Sequence, residues 1–293
     1  MKCRTYILSV LVLLAGMSAA APRYSKGGVT HWLGLSLTGV EATPVLGKTE
    51  AYAKAGGGAQ AELLYELHKG HFFFNAGLGA DYIVTNTALD AYADAFPRVD
   101  FMGEDVLYRY VYSDMRERQT QIRLVVPVQF GYRFGKWVYV GLGAAARIQP
   151  LVNTTSTTAR MLTEGEYERF IQPIRNAPAY DYRPEADYAG KSKVRSATNE
   201  LAVEAEVGAR IPFRGMQLRI GAYLGYDIPL QSYKSKRADM TLIDYSEDPA
   251  IRFNSMLDSP VLSSDPQRVR VGVRVTFLLD VTRTPSSCMC MTE

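Results

Sequence analysis

The chain has 293 residues, with 33 Lys and Arg against 30 Asp and Glu and a net charge of +3. Charges of both signs are interspersed, which excludes a basic nucleic-acid-binding domain, so we expect no nucleic-acid partner. A hydrophobic fraction of 47% excludes disorder, while a mean hydropathy of −0.10 is too polar for a bundle of membrane-spanning helices.

The N-terminus has the pattern of a secretory signal peptide. Lys2 and Arg4 precede an apolar run over residues 6–15, and small residues follow at positions 18–21. The run has about a dozen residues, whereas a membrane-spanning helix needs roughly 20. We therefore predict a cleaved signal peptide over residues 1–20, with an uncleaved N-terminal anchor as the alternative.

From Gly28 onward, apolar side chains alternate with polar or small ones at a period of two, which is typical of β-strands with two distinct faces. In the last such segment, the odd positions from 269 to 279 are apolar and the even positions include three arginines. Eight segments follow this pattern, at about 31–40, 58–68, 71–84, 119–134, 137–149, 200–213, 218–228 and 268–279. The sequence therefore predicts an all-β protein.

The connections between these segments differ in length. Lys69-Gly70, Gly135-Lys136 and Arg214-Gly215 are predicted to be tight turns, in which glycine supplies a positive φ. The other connections are predicted to be long loops, over residues 41–57, 85–118, 150–198 and 232–266. One end of the structure should therefore have short turns and the other end long loops.

Three features favour a membrane barrel over a soluble lipocalin-like barrel or sandwich. The strands are longer than the five or six residues usual in soluble domains. The loop asymmetry and the signal peptide match outer-membrane barrels. Aromatic residues also collect beside the short turns on the apolar face, as in an interfacial girdle; these are Tyr65, Phe72, Phe74, Tyr132, Phe134, Phe213 and Phe277.

The pattern from about Val29 to Leu279 resembles the porin-like outer-membrane β-barrel domain, the PorT-like group known mainly from Bacteroidota. More distantly, it is similar to the transmembrane domain of outer-membrane protein A. The resemblance covers nearly all of the mature chain and rests on repeated alternation and loop asymmetry. It departs from such barrels at the end of the last strand, where Phe277 is followed by Leu278, Leu279 and a tail instead of being terminal.

These observations predict a single domain over residues 21–281, an eight-stranded antiparallel up-and-down transmembrane β-barrel. Residues 282–293 would form a periplasmic tail. We expect the barrel to lie in the outer membrane of a Gram-negative bacterium, in contact with its lipid, with both termini in the periplasm.

If the apolar face meets lipid, the charged face lines the lumen. An eight-stranded barrel leaves an interior just wide enough for side chains. We therefore interpret the charged residues as a packed ion-pair plug, with a narrow charged permeation path as the alternative. The predicted network comprises Glu62, Glu66, Asp81, Arg123, Arg133, Arg147, Glu200, Glu204, Glu206, Arg210, Arg219, Asp227, Arg268, Arg270 and Arg274.

The long loops hold the residues most free to define a partner. Tyrosine is enriched at binding hot spots, so the candidate loop contacts are Tyr108, Tyr110, Tyr112, Tyr167, Tyr180, Tyr182 and Tyr188. The alternative is that these rings only pack the loops together. Thr163 and Glu166 form a capping-box pattern that predicts a short helix toward Ile171, and Asp248-Pro249 predicts a second helix start.

Evidence for catalysis is weak. His31, His68 and His71 lie near the short-turn end without a recognisable nucleophile motif. Cys288 and Cys290 in the tail make a weak soft-metal site, and we expect no metal or cofactor. We predict a non-enzymatic anchor whose loops bind an extracellular or envelope partner, with a role in envelope biogenesis or secretion also open. The alternatives are a small barrel enzyme acting on lipid or peptide and a narrow pore.

Overall fold

The computed structural model describes residues 28–46, 51–149, 154–193, 199–213, 215–230, 241–244, 252–256, 259, 261 and 267–282. The strands of this part of the chain are β1 (Thr30–Val45), β2 (Ala51–Lys69), β3 (Phe72–Val99), β4 (Asp105–Phe134), β5 (Val138–Ile148), β6 (Thr154–Glu166), β7 (Ile174–Arg175), β8 (Ala186–Lys193), β9 (Glu200–Phe213), β10 (Met216–Pro229), β11 (Ile243–Asp244), β12 (Arg252–Phe253) and β13 (Gln267–Asp280). The predicted signal peptide lies outside the described residues, as do Cys288 and Cys290. No helix in the described ranges is long and apolar enough to cross a membrane.

Eight strands close into a ring. In ring order these are β1, β2, β3, β4, β5, β9, β10 and β13, and every neighbouring pair is antiparallel. The ring closes between the first and last strands, where the register runs from Trp32 opposite Asp280 to Val45 opposite Gln267. The order follows the chain, which confirms the predicted eight-stranded, up-and-down antiparallel arrangement.

Short turns join the ring strands at one end. Gly70 lies between β2 and β3, Gly135 between β4 and β5, and Gly215 between β9 and β10. Their φ angles are 59°, 62° and 73°, a left-handed region that glycine adopts without the steric cost of a Cβ. The predicted turn positions are confirmed, although Arg214 lies outside the described residues.

At the opposite end, two predicted loops are mostly strand. The predicted loop over residues 41–57 is wrong, because β1 continues to Val45 and β2 begins at Ala51. The predicted loop over residues 85–118 is also wrong, because β3 and β4 pair across nearly all of it. Alanine at positions 88, 91, 93 and 95 gives only weak apolar contrast, which explains why the alternation is hard to recognise in the sequence.

The long β3–β4 hairpin carries further strands beyond the ring. Between Thr120 and Leu124, β4 changes its partner from β6 to β5. β6 in turn pairs with β7 and β8. We call the sheet formed by residues 90–120, β6, β7 and β8 the extended sheet.

The predicted helix from Thr163 toward Ile171 is wrong. Thr163 lies opposite Tyr110 and Glu166 opposite Leu107 in the β4–β6 pairing. The groups expected to cap a helix have other partners, since Glu166 pairs with Arg109 at 2.5 Å and the Thr163 hydroxyl accepts a hydrogen bond from the Arg183 N–H. Strand pairing therefore outweighs the local capping signal.

The second predicted helix begins at Asp248-Pro249, outside the described residues. Where the chain is described again, Arg252–Phe253 form β12, which pairs with β11. The prediction is therefore wrong for residues 252–253, which do not continue a helix.

The ring is apolar outside and charged inside. Leu63 is 68% exposed and Leu142 is 64% exposed, whereas the side chains of Arg123 and Arg147 are completely buried. The aromatic residues beside the short turns also point outward, since Phe72 is 49% exposed and Phe134 55%. This distribution reverses that of a soluble barrel.

Candidate functional site

The lumen at the short-turn end is built around Glu66. This buried carboxylate accepts hydrogen bonds from Arg219, His68 and the Asn75 amide. Asn75 continues the chain by donating to Gln129 at 2.8 Å, and Gln129 donates to Glu206 at 3.2 Å. Neutral amides therefore connect two charged groups of the lumen.

Above this layer, Arg274 holds two glutamates. Its Nη1 lies 3.3 Å from Glu206 and its Nη2 lies 3.1 Å from Glu204. Its Nε donates to the Thr38 hydroxyl at 3.0 Å, and the guanidinium lies 4.4 Å from the centre of the Tyr223 ring. Charge-assisted bonds and a cation–π contact thus fix one arginine in a single position.

Two more arginines share one set of acceptors in the next layer. Arg147 contacts Asp81 at 2.6 Å, Glu204 at 2.5 Å and Asp227 at 3.2 Å. Arg270 contacts Glu204 at 3.2 Å and Asp227 at 3.1 Å. Both guanidinium groups are completely buried and are balanced by these carboxylates.

The uppermost layer centres on Arg123. It forms a two-pronged pair with Asp81 at 2.9 and 2.8 Å and also contacts Glu200. Arg268 reaches the same Glu200 at 3.2 Å. The hydrogen bonds and ion pairs therefore run without interruption from Glu66 to Arg268.

The structure brings the predicted network residues together, with two of them at its margin. Arg133 and Arg210 are half-buried at the short-turn end. Arg133 donates to His68 Nδ1 at 2.9 Å and to the Gly70 carbonyl, and Arg210 lies opposite Arg219 in the register. Sequence reasoning missed the neutral members, which occupy the same lumen-facing positions along each strand: Thr38, Gln60, Asn75, Gln129, Tyr139 and Tyr223.

The described side chains leave little free space in the lumen at the level of Arg219 and Arg274. A cavity bounded by Glu62, Gln129, Arg219 and Arg274 has a volume of about 10 Å³. A single water requires roughly 10–15 Å³ of such space. At this level the interior is a packed core with room for about one water.

At the end away from the short turns, two carboxylates hold the connection between β10 and β13. Asp94 accepts hydrogen bonds from the Tyr112 hydroxyl at 2.9 Å and from the Leu242 N–H at 2.7 Å. Glu117 accepts from the Ser255 hydroxyl and the Met256 N–H, both at 2.7 Å. These contacts accompany a buried apolar cluster that includes Leu89, Met115, Met161, Leu242, Ile243, Phe253, Met256 and Val261. The described residues of this connection, 241–244, 252–256, 259 and 261, thus pack over this end of the barrel.

Burial raises the pKa of Asp94 above its usual range, although the Tyr112 hydroxyl and the N–H groups of Leu242 and Ile243 oppose the shift. Sequence reasoning missed both Asp94 and Glu117, because each lies in a segment predicted to be a loop. Their positions on β3 and β4 become informative only once the hairpin is known.

Most of the candidate loop tyrosines are internal. Tyr108, Tyr112, Tyr167 and Tyr182 are buried, while Tyr110 and Tyr188 are half-buried and Tyr180 is 39% exposed. The Tyr167 and Tyr182 hydroxyls lie 2.8 Å apart, and Tyr167 also donates to Asp100 at 3.1 Å. Burial raises the pKa of Tyr108 to about 12. These rings give the extended sheet a core of its own.

A closed antiparallel ring, an apolar exterior and an ionised, packed interior together form the pattern of a transmembrane β-barrel of the outer-membrane type. Closure pairs the first ring strand with the last, so neither is left as an edge along its described paired residues. The charges that such a barrel must keep away from hydrocarbon pair with one another inside it.

Comparison with solved structures returns matches at low identity and low TM-score. The crystal structure of Ail, the attachment invasion locus protein of Yersinia pestis, matches with 9% identity and a TM-score of 0.34, over 85% of this chain and 99% of Ail. Ail in complex with the heparin analogue sucrose octasulfate matches with 11% identity and a TM-score of 0.29, over the same shares. The TodX monoaromatic hydrocarbon channel deltaS2 mutant matches with 8% identity and a TM-score of 0.18, over 89% of this chain and 91% of TodX.

No family model matches the sequence, and no curated protein matches it either. The assignment of the barrel therefore rests on the strand pairing and on the distribution of side chains.

Proposed function

We propose that this protein is a non-enzymatic anchor in the outer membrane of a Gram-negative bacterium. The short turns and both chain ends lie in the periplasm, and the extended sheet projects outside the cell, where it binds a partner. The observation that carries the proposal is the contrast between a filled lumen and a structured projection at one end.

The projection is long enough to present a surface away from the bilayer. β3 has 28 residues and β4 has 30, whereas about ten tilted residues cross a membrane. Pairing between β2 and β3 ends at Leu89, so residues 90–99 extend roughly 30 Å further at about 3.3 Å per residue. The buried tyrosines described above stiffen this sheet.

The tip of the projection carries exposed apolar side chains. Phe101 is 71% exposed, Met102 is 63% exposed and Ile171 is fully exposed. Tyr180 lies 5.1 Å from Phe101 between ring centres, and Tyr167 lies 5.8 Å from Phe170. Clustered exposed apolar side chains are typical of interaction sites, which supports partner binding at the tip.

The rival functions have less support. A permeation path would have to pass four layers of paired charges, with space for about one water beside Arg274. An enzyme using His68 would have to expose a ring that is 3% exposed and stacked against Trp32 at 5.2 Å. A role in envelope biogenesis or secretion would instead place the partner at the short-turn end.

Crosslinking in living cells tests the proposal. We would compare wild type with a tip variant, Phe101→Ser with Met102→Ser and Ile171→Ser, and with a control variant at the short turns, Lys69→Ser with Lys136→Ser. Both variants must show wild-type heat-modifiable gel migration. We expect partner crosslinks to disappear in the tip variant and to persist in the control. The reverse result would contradict the proposal and place the partner in the periplasm.

A further inference from the structure

A pocket of about 270 Å³ lies at the tip of the extended sheet, between the end of the β3–β4 hairpin and a 3₁₀ turn over Pro178–Tyr180. This is just below the roughly 300–1,000 Å³ of drug-sized ligand sites, so the pocket suits a small ligand. Four aromatic side chains line it, namely Phe101, Tyr108, Tyr180 and Tyr182. The charged side chains among its lining residues are Arg98, Asp100 and Asp181.

Backbone and hydroxyl contacts hold these rings in place. Asp181 adopts the left-handed conformation with a φ of 66°, and its N–H donates to the Pro178 carbonyl at 3.0 Å. The Tyr108 hydroxyl donates to the Asp181 carbonyl at 2.7 Å, which ties the turn to β4. Tyr180 and Tyr182 are parallel within 4°, at 6.2 Å between ring centres. The aromatic wall is therefore preorganised.

The protein already places one cation against this wall. The Arg98 guanidinium lies 5.5 Å from the centre of the Tyr108 ring. Its nearest carboxylate oxygen, on Asp181, is 3.7 Å away, and both side chains are more than half exposed. Such an exposed, loose pair is worth little, so it costs little to rearrange when a ligand enters.

The charges around the pocket favour a cationic ligand. Within the pocket, one guanidinium faces two carboxylates, and backbone N–H groups lower the pKa of Asp100, which keeps it ionised. In the surrounding segments 98–110 and 164–185, eight acidic residues outnumber five arginines, and lysine is absent from both stretches of sequence. Such a field attracts cations and repels polyanions such as sulfated sugars.

We propose that this pocket binds an organic cation of the alkylammonium class, with its substituted nitrogen among the rings of Phe101, Tyr108 and Tyr180 and its charge balanced by Asp100 and Asp181. Aromatic side chains combined with nearby carboxylates are the chemistry that recognises quaternary ammonium groups. The inference names the ligand class of the proposed partner site and rests on the proposed function, because the pocket must face the outside of the cell. The cation could be a free amine or the headgroup of a zwitterionic lipid.

Calorimetric titration of the purified full-length protein with choline tests this inference. An alkyl maltoside detergent is required, since detergents with ammonium headgroups would compete. The matched ligand control is 3,3-dimethylbutan-1-ol, which has the shape of choline without its charge. We expect saturable binding of choline and at least about tenfold weaker binding of the neutral alcohol. Equal binding of both, or no binding of choline, would overturn the proposal.

Two pocket variants and one control locate the binding. Phe101→Leu and Asp181→Asn should each weaken choline binding by about three- to tenfold. Asp105→Asn removes the same charge from an exposed residue outside the pocket and should leave the affinity nearly unchanged. An equal loss of choline affinity in Asp105→Asn would assign the effect to the overall electrostatic field of this region and would contradict the proposed site. Heat-modifiable migration checks that each variant is folded.

Phosphocholine separates the two sources of the cation. Its phosphate can reach Arg98, so binding at least as tight as that of choline indicates a lipid headgroup, whereas weaker binding indicates a free amine. Failure of all choline titrations, together with loss of crosslinks in the tip variant, would overturn only the ligand class. Choline binding with crosslinks retained in the tip variant would overturn the proposed function instead.

Discussion

Arg123 donates to both carboxylate oxygens of Asp81, with Nε to Oδ1 at 2.9 Å and Nη2 to Oδ2 at 2.8 Å, and both side chains are fully buried. This parallel pair joins β3 to β4 directly, because the two residues lie opposite each other in the register. Its planar geometry is the one that guanidinium and carboxylate groups match best.

Removing one partner of this pair should strongly destabilise the barrel. We expect Asp81→Asn and Arg123→Gln each to lower the free energy of unfolding by about 3–5 kcal/mol, since each leaves a buried charge without its balance. The double variant should cost clearly less than the sum of the two, because they share one interaction. Urea unfolding in lipid vesicles, followed by heat-modifiable gel migration, measures all three.

The control for this double-mutant experiment is Asp187→Asn. The Asp187 carboxylate is 84% exposed and pairs with Arg160 at 3.3 Å. It should change stability by less than about 1 kcal/mol. Strict additivity of the Asp81 and Arg123 variants, or a cost no larger than that of Asp187→Asn, would contradict the packed ion-pair network.

The filled lumen predicts that the protein does not conduct ions. The cavity beside Arg274 has room for about one water, and Leu242, Phe253 and Met256 pack over the other end. In planar bilayers, wild-type protein should give no steady conductance above that of the bilayer alone. A reproducible open level from the wild-type protein would favour the charged-pore alternative.

Glu117 should determine whether the segment around Met256 stays docked. Glu117→Ala removes the acceptor of both the Ser255 hydroxyl and the Met256 N–H, at a cost of about 1–3 kcal/mol for each donor left unsatisfied. Limited proteolysis should then cut residues 241–261 faster, with the heat-modifiable migration of the barrel unchanged. Glu185→Ala, which alters an exposed glutamate, is the control. Equal cleavage rates in Glu117→Ala and wild type would show that apolar packing alone docks the segment.

Docking of the same segment should depend on pH through Asp94. Burial gives Asp94 a raised pKa when the segment is docked, so the docked state binds a proton more tightly than the released state. Docking should therefore strengthen as the pH falls through that raised pKa toward the usual range of a carboxyl group, and weaken as the carboxylate ionises. We expect slower cleavage of residues 241–261 at acidic pH than at neutral pH.

Asp94→Asn provides the comparison, because it lacks the titrating group and keeps an acceptor for the Leu242 N–H. The ratio of wild-type to variant cleavage rates removes the effect of pH on the protease itself. A ratio that does not change between the two pH values would rule out Asp94 as the source of the pH dependence.

The barrel could be predicted from the sequence because lipid imposes a strict alternation on each strand. Outward Leu63 and Leu142 alternate with buried charged residues on the same strands. Whether a position is odd or even within its strand therefore identifies nearly all residues of the ion-pair network. Arg133 and Arg210 lie on the same lumen-facing side of their strands but at the short-turn end. The alternation alone does not indicate where along a strand the packed region stops.

The extended sheet could not be predicted in the same way. In the proposed orientation, both faces of residues 90–99 lie outside the lipid band, so no single solvent forces apolar side chains onto one face. Thr163 shows the consequence, because its local sequence favours a helix cap, while its pairing with Tyr110 on β4 places it in a strand. Asp94 and Glu117 acquire their roles only from residues 148 and 138 positions away, Leu242 and Ser255.

The central claim is that the apolar face of the barrel meets lipid, and fluorescence quenching in vesicles tests it most directly. Single cysteines would replace Leu63 or Leu142 on the outer face, in a chain with Cys3, Cys288 and Cys290 changed to serine. Asp187→Cys on the extended sheet would serve as the exposed control. With an environment-sensitive label, we predict that nitroxide carried on lipid acyl chains quenches the labels at positions 63 and 142, while iodide quenches only the label at position 187. Strong iodide quenching at positions 63 and 142, without quenching by the lipid nitroxide, would contradict the membrane barrel.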